Sequence, residues 1–244
     1  MEFSARTARP TILFDLDGTL LPMEMASFQR AYFASLCAWF SEYPAEALVR
    51  WIWAGTKAMV ANDGSRTNRE AFAEAFTAAS GIDYLAREAE FLMYYREGFQ
   101  DCARVCPITD VSRRLVETLR GKGYRVAVAT NPIFPRIATE SRLRWLGLEP
   151  ASFPLVTAYE DCRFAKPNPG YYRDVCRALD AAPEDCLMVG NDVAEDGCAR
   201  ALGMEVFLVT DFLLNPAGLP TGDFPAGSLA ELLAWAEALP AAAG

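Results

Sequence analysis

Carboxylates stand where an α/β fold would put reactive groups. Asp15 and Asp17 follow the apolar run Thr11–Phe14, Thr130 and Asn131 follow Tyr124–Ala129, and Gly190, Asn191 and Asp192 follow Cys186–Val189, with Asp196 shortly after. Between the last two groups, Lys166-Pro167-Asn168-Pro169 sets a lysine just before an expected helix start. In an open α/β sheet, ligands bind beyond the carboxyl ends of the strands, so these residues gather at one candidate site. Asp15, Asp17, Asp192 and Asp196 with Lys166 and small hydroxyl and amide groups make, by charge alone, a site for a divalent cation and a phosphate.

The chemistry follows from repulsion. A carboxylate attacking a phosphate dianion brings like charges together, and at about 4 Å with an effective dielectric near 20 each unit pair costs roughly 4 kcal/mol. Mg²⁺ and a lysine must offset it. Magnesium takes near-octahedral oxygen ligands from one or two carboxylates, waters and substrate, and Asp15, Asp192 and a main-chain carbonyl near Asp17 suit that shell. Lys166 would bridge the nucleophile and a phosphoryl oxygen, while Thr130, Asn131 and loop amides take the remaining oxygens. The two-residue offset of Asp15 and Asp17 sets both on one side of an extended segment. One ionised carboxylate would be the nucleophile, and a neighbour with a raised pKa would be general acid and then base. The chain has no histidine, which excludes Ser-His-Asp triads, Cys-His pairs and histidine-bound metals and leaves acid–base chemistry to carboxylates, lysine, tyrosine or cysteine; the aspartate pair would replace the missing imidazole.

The elements that hold these residues divide the chain in two. After Thr11–Phe14, residues 25–41, 44–61, 68–80 and 84–100 show helical periodicity, broken by Tyr43-Pro44, by residues 62–67 and by Gly81. Beyond Pro107 helix and strand alternate: a helix at 110–122, the strand 124–129, a helix at 134–146, a strand at 153–157 and a helix at 169–179. The strand 186–189, a helix at 195–202 and a strand at 206–209 follow. Residues 215–227, rich in proline and glycine, read as an irregular connection before a last helix at 228–239. Repeated units of this kind predict a doubly wound, Rossmann-like parallel sheet, residues 1–21 and 106–244, interrupted by a helical bundle, residues 22–105.

Composition narrows the partners. A chain of 244 residues that is 52% hydrophobic and 23% charged can bury a core without disulfides. Its net charge of −9 disfavours nucleic acid. Seven cysteines, an odd number spread along the chain, read as reduced thiols of a cytoplasmic protein; Cys102 and Cys106 read as small apolar side chains, not a zinc site. The start, MEFSARTARP, lacks the apolar run of a secretory signal, and no stretch is long and apolar enough to predict a membrane span.

With these residues assembled, the chain resembles the haloacid dehalogenase superfamily of aspartate-nucleophile hydrolases. Asp15-Leu16-Asp17-Gly18-Thr19, Thr130, Lys166, and Gly190-Asn191-Asp192 with Asp196 match its four motifs in order, over residues 12–204 apart from the helical insertion. The resemblance implies that Asp15 is the nucleophile and forms an aspartyl-phosphate, Asp17 is the acid and base, and Thr130 and Lys166 bind the phosphate. It implies Asp15 and Asp192 as Mg²⁺ ligands, with Asp196 supporting the metal directly or through water. Asn191 stands where many relatives already have the aspartate. The acid at position 17, which the dehalogenase and phosphonate-cleaving branches lack, favours phosphate esters.

Residues 22–105 resemble the helical cap of the first cap class, which closes over the site, excludes water and selects substrate. A small phosphorylated metabolite is therefore the expected substrate, and a monomer or homodimer the expected assembly. In the cap, Trp39, Trp51, Trp53, Phe72, Phe76, Phe91, Tyr94 and Tyr95 read as bundle interior rather than as a substrate platform. The loop 62–68, with Asn62, Asp63, Arg66 and Asn68, is the expected substrate-facing element. Two other functions compete with a phosphatase: a phosphomutase, which a gripping cap cation such as Lys57 or Arg66 would favour, and a silent binding protein of the same fold.

Overall fold

In the computed structural model, which describes residues 11–242, β1 (Thr11–Phe14) is a fully buried inner strand of a parallel sheet. It pairs with β2 (Arg125–Val128) on one side and β3 (Cys186–Gly190) on the other. β4 (Glu205–Val209) and the two-residue β5 (Ala226–Gly227) complete the order β2-β1-β3-β4-β5. Apolar side chains on both faces suit a sheet covered on both sides. Alternation decides which residue goes where: Ile12 and Phe14 join one core cluster, Leu13 the other. Residues 1–10, on which the secretory-signal reading falls, and residues 243–244 lie outside the described residues.

One face is covered by α5 (Val111–Gly121) and α8 (Leu229–Ala238), through Leu115, Leu119 and Leu232. The other is covered by α7 (Pro169–Ala178) and a 3-10 segment, Gly197–Leu202, through Tyr172, Val175 and Ala199. The chain passes from β1 to β2, then crosses to β3 beyond β1. This makes the β1/β3 boundary the topological switch point where ligands bind in such sheets.

Between β1 and β2 the cap rises as α1 (Met25–Trp39), α2 (Ala45–Val60), α3 (Asn68–Ser80) and α4 (Tyr84–Arg96). Thr67 starts α3 with a capping box closed by Glu70, which fixes where the preceding loop ends. The bundle interior is aromatic: the rings of Phe40 and Phe91 lie 4.5 Å apart, and those of Phe72 and Tyr84 4.9 Å apart. Tyr32 and Tyr95 join hydroxyls at 2.8 Å, which satisfies two buried polar groups at once. Among the described residues, no helix is long and apolar enough to cross a membrane.

Several elements differ from expectation. The strand predicted at 153–157 shrinks to one parallel bridge between Val156 and Val128, because Pro154 has no N–H to give a ladder. The helix predicted at 195–202 becomes a 3-10 segment starting at Gly197, since Asp192 takes the N–H groups of Ala194 and Glu195 into its own turn. The helix predicted to 100 stops at Arg96 and continues as the 3-10 segment Gly98–Val105. β5 lies inside the segment read as irregular.

Candidate active site

β1, β2 and β3 end at one edge, and the polar residues beyond them meet there. The Asp15 N–H still donates to Val189 O at 2.8 Å, so its side chain is fixed by the last ladder bond of the sheet. Lys166 is fully buried, and its Nζ donates to Asp15 Oδ1 at 2.9 Å and to Asp196 Oδ1 at 2.6 Å. Asp196 Oδ2 accepts from the Asp192 N–H at 2.9 Å, and Asp192 Oδ1 accepts from the N–H groups of Ala194 and Glu195 at 2.8 and 2.9 Å. Gly190 makes this possible, because a Cβ there would lie 2.0 Å from Asp196 Oδ2. Gly18, in the left-handed region at φ +83°, likewise leaves space for Asn191, whose Oδ1 accepts from the Thr19 hydroxyl at 3.0 Å.

Burial governs the charges. It pushes the Asp15 carboxyl up to about 7, against the lowering pull of Lys166. Burial alone would depress the Lys166 ammonium, but Asp15 and Asp196 outweigh it and hold its pKa well above the ordinary range. The rings of Tyr171 and Tyr172 lie 5.9 and 6.0 Å from Nζ and close off solvent. Thr130 is buried, and its carbonyl accepts from the Thr157 and Tyr171 hydroxyls, each at 2.8 Å.

Two residues unmarked in the sequence complete the site. Arg142, on α6 (Arg136–Trp145), is fully buried and pairs with Asp17 Oδ2. It is held by Ala138 O and Thr139 Oγ1, both at 3.2 Å, and lies 4.5 Å over the Phe134 ring. Asp17 Oδ1 is buried and has no hydrogen-bond partner. Glu195 accepts from Asn131 Nδ2 at 2.9 Å, while Asn131 Oδ1 takes the Lys166 N–H at 3.2 Å. The Asn131 side chain is thus spent on bridging two loops, and burial pushes Glu195 up to about 8.

Above these groups lies a cavity of about 350 Å³ roofed by the cap. Asp15, Asp17, Thr130, Asn131, Asp192 and Asp196 line its floor. Its walls include Trp53, which is half-exposed rather than in the bundle interior as expected, together with Phe72 and Tyr95, which belong to that interior, as do Phe76, Phe91 and Tyr94. The loop 62–68, expected to face substrate, does not line the cavity. It clamps cap to core: the fully buried Asn68 donates to Pro132 O at 3.1 Å and Phe164 O at 3.2 Å and accepts from Asn62 Nδ2 at 2.9 Å. Its N–H donates to Cys162 O at 2.7 Å. Arg66 is exposed and pairs with Glu74.

The sequence profile of haloacid dehalogenase-like hydrolases matches residues 10–203, and so takes in every floor residue of the cavity. The chain belongs to that family. It is 33% identical over 109 residues to a glyceraldehyde 3-phosphate phosphatase of Methanothermobacter thermautotrophicus, a match covering 44% of this chain and 46%, about half, of that relative. Among solved structures, the CbbY protein of Rhodobacter sphaeroides in complex with phosphate superposes with a TM-score of 0.57 at 20% identity, over 92% of this chain and 96% of that one. An L-2-haloacid dehalogenase superposes with a TM-score of 0.59 at 18% identity, over 93% and 99%. At such identities the two structures speak to the fold alone, and they include both phosphate-bound and dehalogenase members.

In this hydrolase the oxygen inventory fits a magnesium ion. Among the described residues no three Asp, Glu or Cys side chains converge as a ready-made metal cage. Mg²⁺ needs fewer, since it keeps waters and shares substrate oxygens. Asp15 Oδ2 and Asp192 Oδ2 have no donor within the described chain, and both residues line the cavity with Asp17. Asp196 has both oxygens engaged, by Lys166 and by the Asp192 N–H, so its part is to position those two groups. With the protonated Glu195 left out, the carboxyls of Asp15, Asp17, Asp192 and Asp196 still outnumber Lys166 and Arg142, an imbalance a cation would offset.

Proposed function

We propose that this chain is a Mg²⁺-dependent phosphatase that hydrolyses a small-molecule phosphomonoester through an aspartyl-phosphate on Asp15. The observation that carries the reading is the buried Lys166 bridging Asp15 and Asp196 at the cavity floor, with a second carboxyl, Asp17, beside it. Lys166 holds the Asp15 carboxylate through Oδ1 while that carboxylate attacks phosphorus and the bond to the alcohol oxygen breaks, and its ammonium offsets charge on the phosphoryl oxygens. Arg142 occupies Asp17 Oδ2, which leaves the unpartnered Oδ1 to give a proton to the departing alkoxide. The same oxygen then takes a proton from the water that cleaves the aspartyl-phosphate, releasing inorganic phosphate and restoring Asp15. Thr130 and main-chain amides of the floor hold phosphoryl oxygens.

Mg²⁺, which Asp15, Asp192 and the Asp17 carbonyl would hold, supplies charge neutralisation for the phosphate. Asp17 argues for phosphate esters over carbon–halogen bonds, for which no such acid is needed. A phosphomutase would need a cap cation for the rest of its substrate, and Lys57 and Arg66 do not line the cavity. The test is phosphate release from a broad panel of phosphorylated metabolites with and without Mg²⁺, beside Asp15→Asn. Release that needs both the ion and Asp15 is the expected result. Silence across the panel, or release that survives Asp15→Asn, rejects the reading.

A further inference from the structure

The cap side of the cavity carries information about the alcohol half of the ester. Its walls are Phe28, Phe33, Ile52, Trp53, Phe72 and Phe134, with Gln29, Thr56 and the paired Tyr32 and Tyr95 hydroxyls as polar interruptions. No lysine or arginine is among the lining residues described. The two cations of the site are spent at the floor, Lys166 on Asp15 and Asp196, Arg142 on Asp17. A second phosphate or a carboxylate on the substrate would therefore sit in hydrocarbon and face the carboxylates of the floor, with no partner for its charge. A polyhydroxylated sugar would fare little better, since most of its hydroxyls would lose water without finding a bond. An aromatic or similarly apolar group would bury its surface against four or more rings. At about 350 Å³, near the lower end of the roughly 300–1,000 Å³ usual for small-molecule sites, the space takes such a group and a phosphate.

We infer that the substrate is the monophosphate ester of an uncharged, ring-bearing alcohol, and that the cap discriminates against esters with a second anionic group. The inference rests on the phosphatase reading for its chemistry and on the cap walls for its selectivity. 2-Phenylethyl phosphate, glycerol 3-phosphate and phosphoglycolate are all alkyl esters, so an activated leaving group does not decide among them. Their kcat/KM values would be measured for the unmutated protein and for Gln29→Lys, which sets a cation in the wall from an exposed position on α1.

The unmutated protein is expected to prefer the phenylethyl ester by about thirtyfold, chiefly through KM, the worth of burying one ring. Gln29→Lys is expected to shrink that margin to about threefold by raising the value for phosphoglycolate. Parity among the three esters, a lead for phosphoglycolate, or a margin unmoved by Gln29→Lys overturns the inference. If none of the three is hydrolysed, the broad panel decides the phosphatase reading, and calorimetry with the same compounds tests the cap alone. Tighter binding of the phenylethyl ester than of phosphoglycolate upholds the apolar pocket, and equal affinity rejects it.

Discussion

On the sheet side of the cavity Lys166 is held between Asp15 and Asp196, Asn131 between Lys166 and Glu195, and Asp17 against Arg142. On the cap side Phe28, Ile52 and Phe72 are held in the apolar core cluster by packing alone, and Trp53 stands partly in solvent. The floor is built from directional bonds between ions, which tolerate small errors poorly. The walls are built from surface area, which tolerates exchange of one apolar side chain for another. Chemistry that must place atoms is assigned to the first, and selection by size and polarity to the second.

Removing the nucleophile separates the two halves most sharply. Asp15→Asn is expected to lower kcat by roughly 10⁴-fold or more while leaving substrate affinity within a few-fold, measured by phosphate release and by calorimetry. Lys166→Met strikes both catalysis and stability. It leaves Asp15 and Asp196 buried without their counter-charge, at a cost of about 3–5 kcal/mol, which denaturant unfolding would show as a lower midpoint. A midpoint equal to that of the unmutated protein would mean that water or a cation reaches these carboxylates. Asn68→Ala tests the seam between the halves. Loss of its buried bonds to Pro132 O and Phe164 O is expected to cost about 1–3 kcal/mol, with little change in which esters are cleaved.

These expectations track what the sequence could show. Asp15, Asp17, Thr130, Lys166, Asp192 and Asp196 lie next to strand ends or helix starts, so their place in the fold follows from their place in the chain. Arg142 does not. In the run Arg136–Trp145 it is one of three arginines, and only tertiary packing turns it to Asp17 while Arg136 and Arg144 pair with Asp161 and Glu140. Glu195 was hidden likewise among the acids around Asp192. The cap aromatics recur at helical spacing whether they face the bundle or the cavity, and periodicity alone does not divide Trp53 from Phe76. The loop 62–68 looked like a substrate loop because it is polar. Its polar atoms are used to join cap and core.

Glu195 gives a pH signature. Burial raises its carboxyl from an ordinary 4.5 to about 8, so between those values the folded protein keeps a proton that the unfolded chain has released. Stability therefore falls as pH rises through that window. Glu195→Gln removes this titration, so without divalent cations its Tm is expected to gain on that of the unmutated protein between pH 5 and pH 8. A constant difference would show that Glu195 is not buried as an acid. The smallest effect is expected of Arg66→Ala. Its exposed pair with Glu74 is worth at most about 1 kcal/mol, and substrate preference should not move. A changed preference would return the loop 62–68 to the cavity and blur the division between floor and walls.

Rigid-body opening of the cap would strip the buried Asn68 of acceptors on two core segments and pull its N–H from Cys162 O, so each opening carries the cost of those bonds. Side-chain movement at the rim breaks none of these bonds, and Gln29, Trp53 and Val60 are the lining residues already open to solvent. Rotamer swings of exposed side chains take picoseconds to nanoseconds, whereas domain motions take microseconds to milliseconds. Were these side chains the door, turnover would not have to wait for the wall to move.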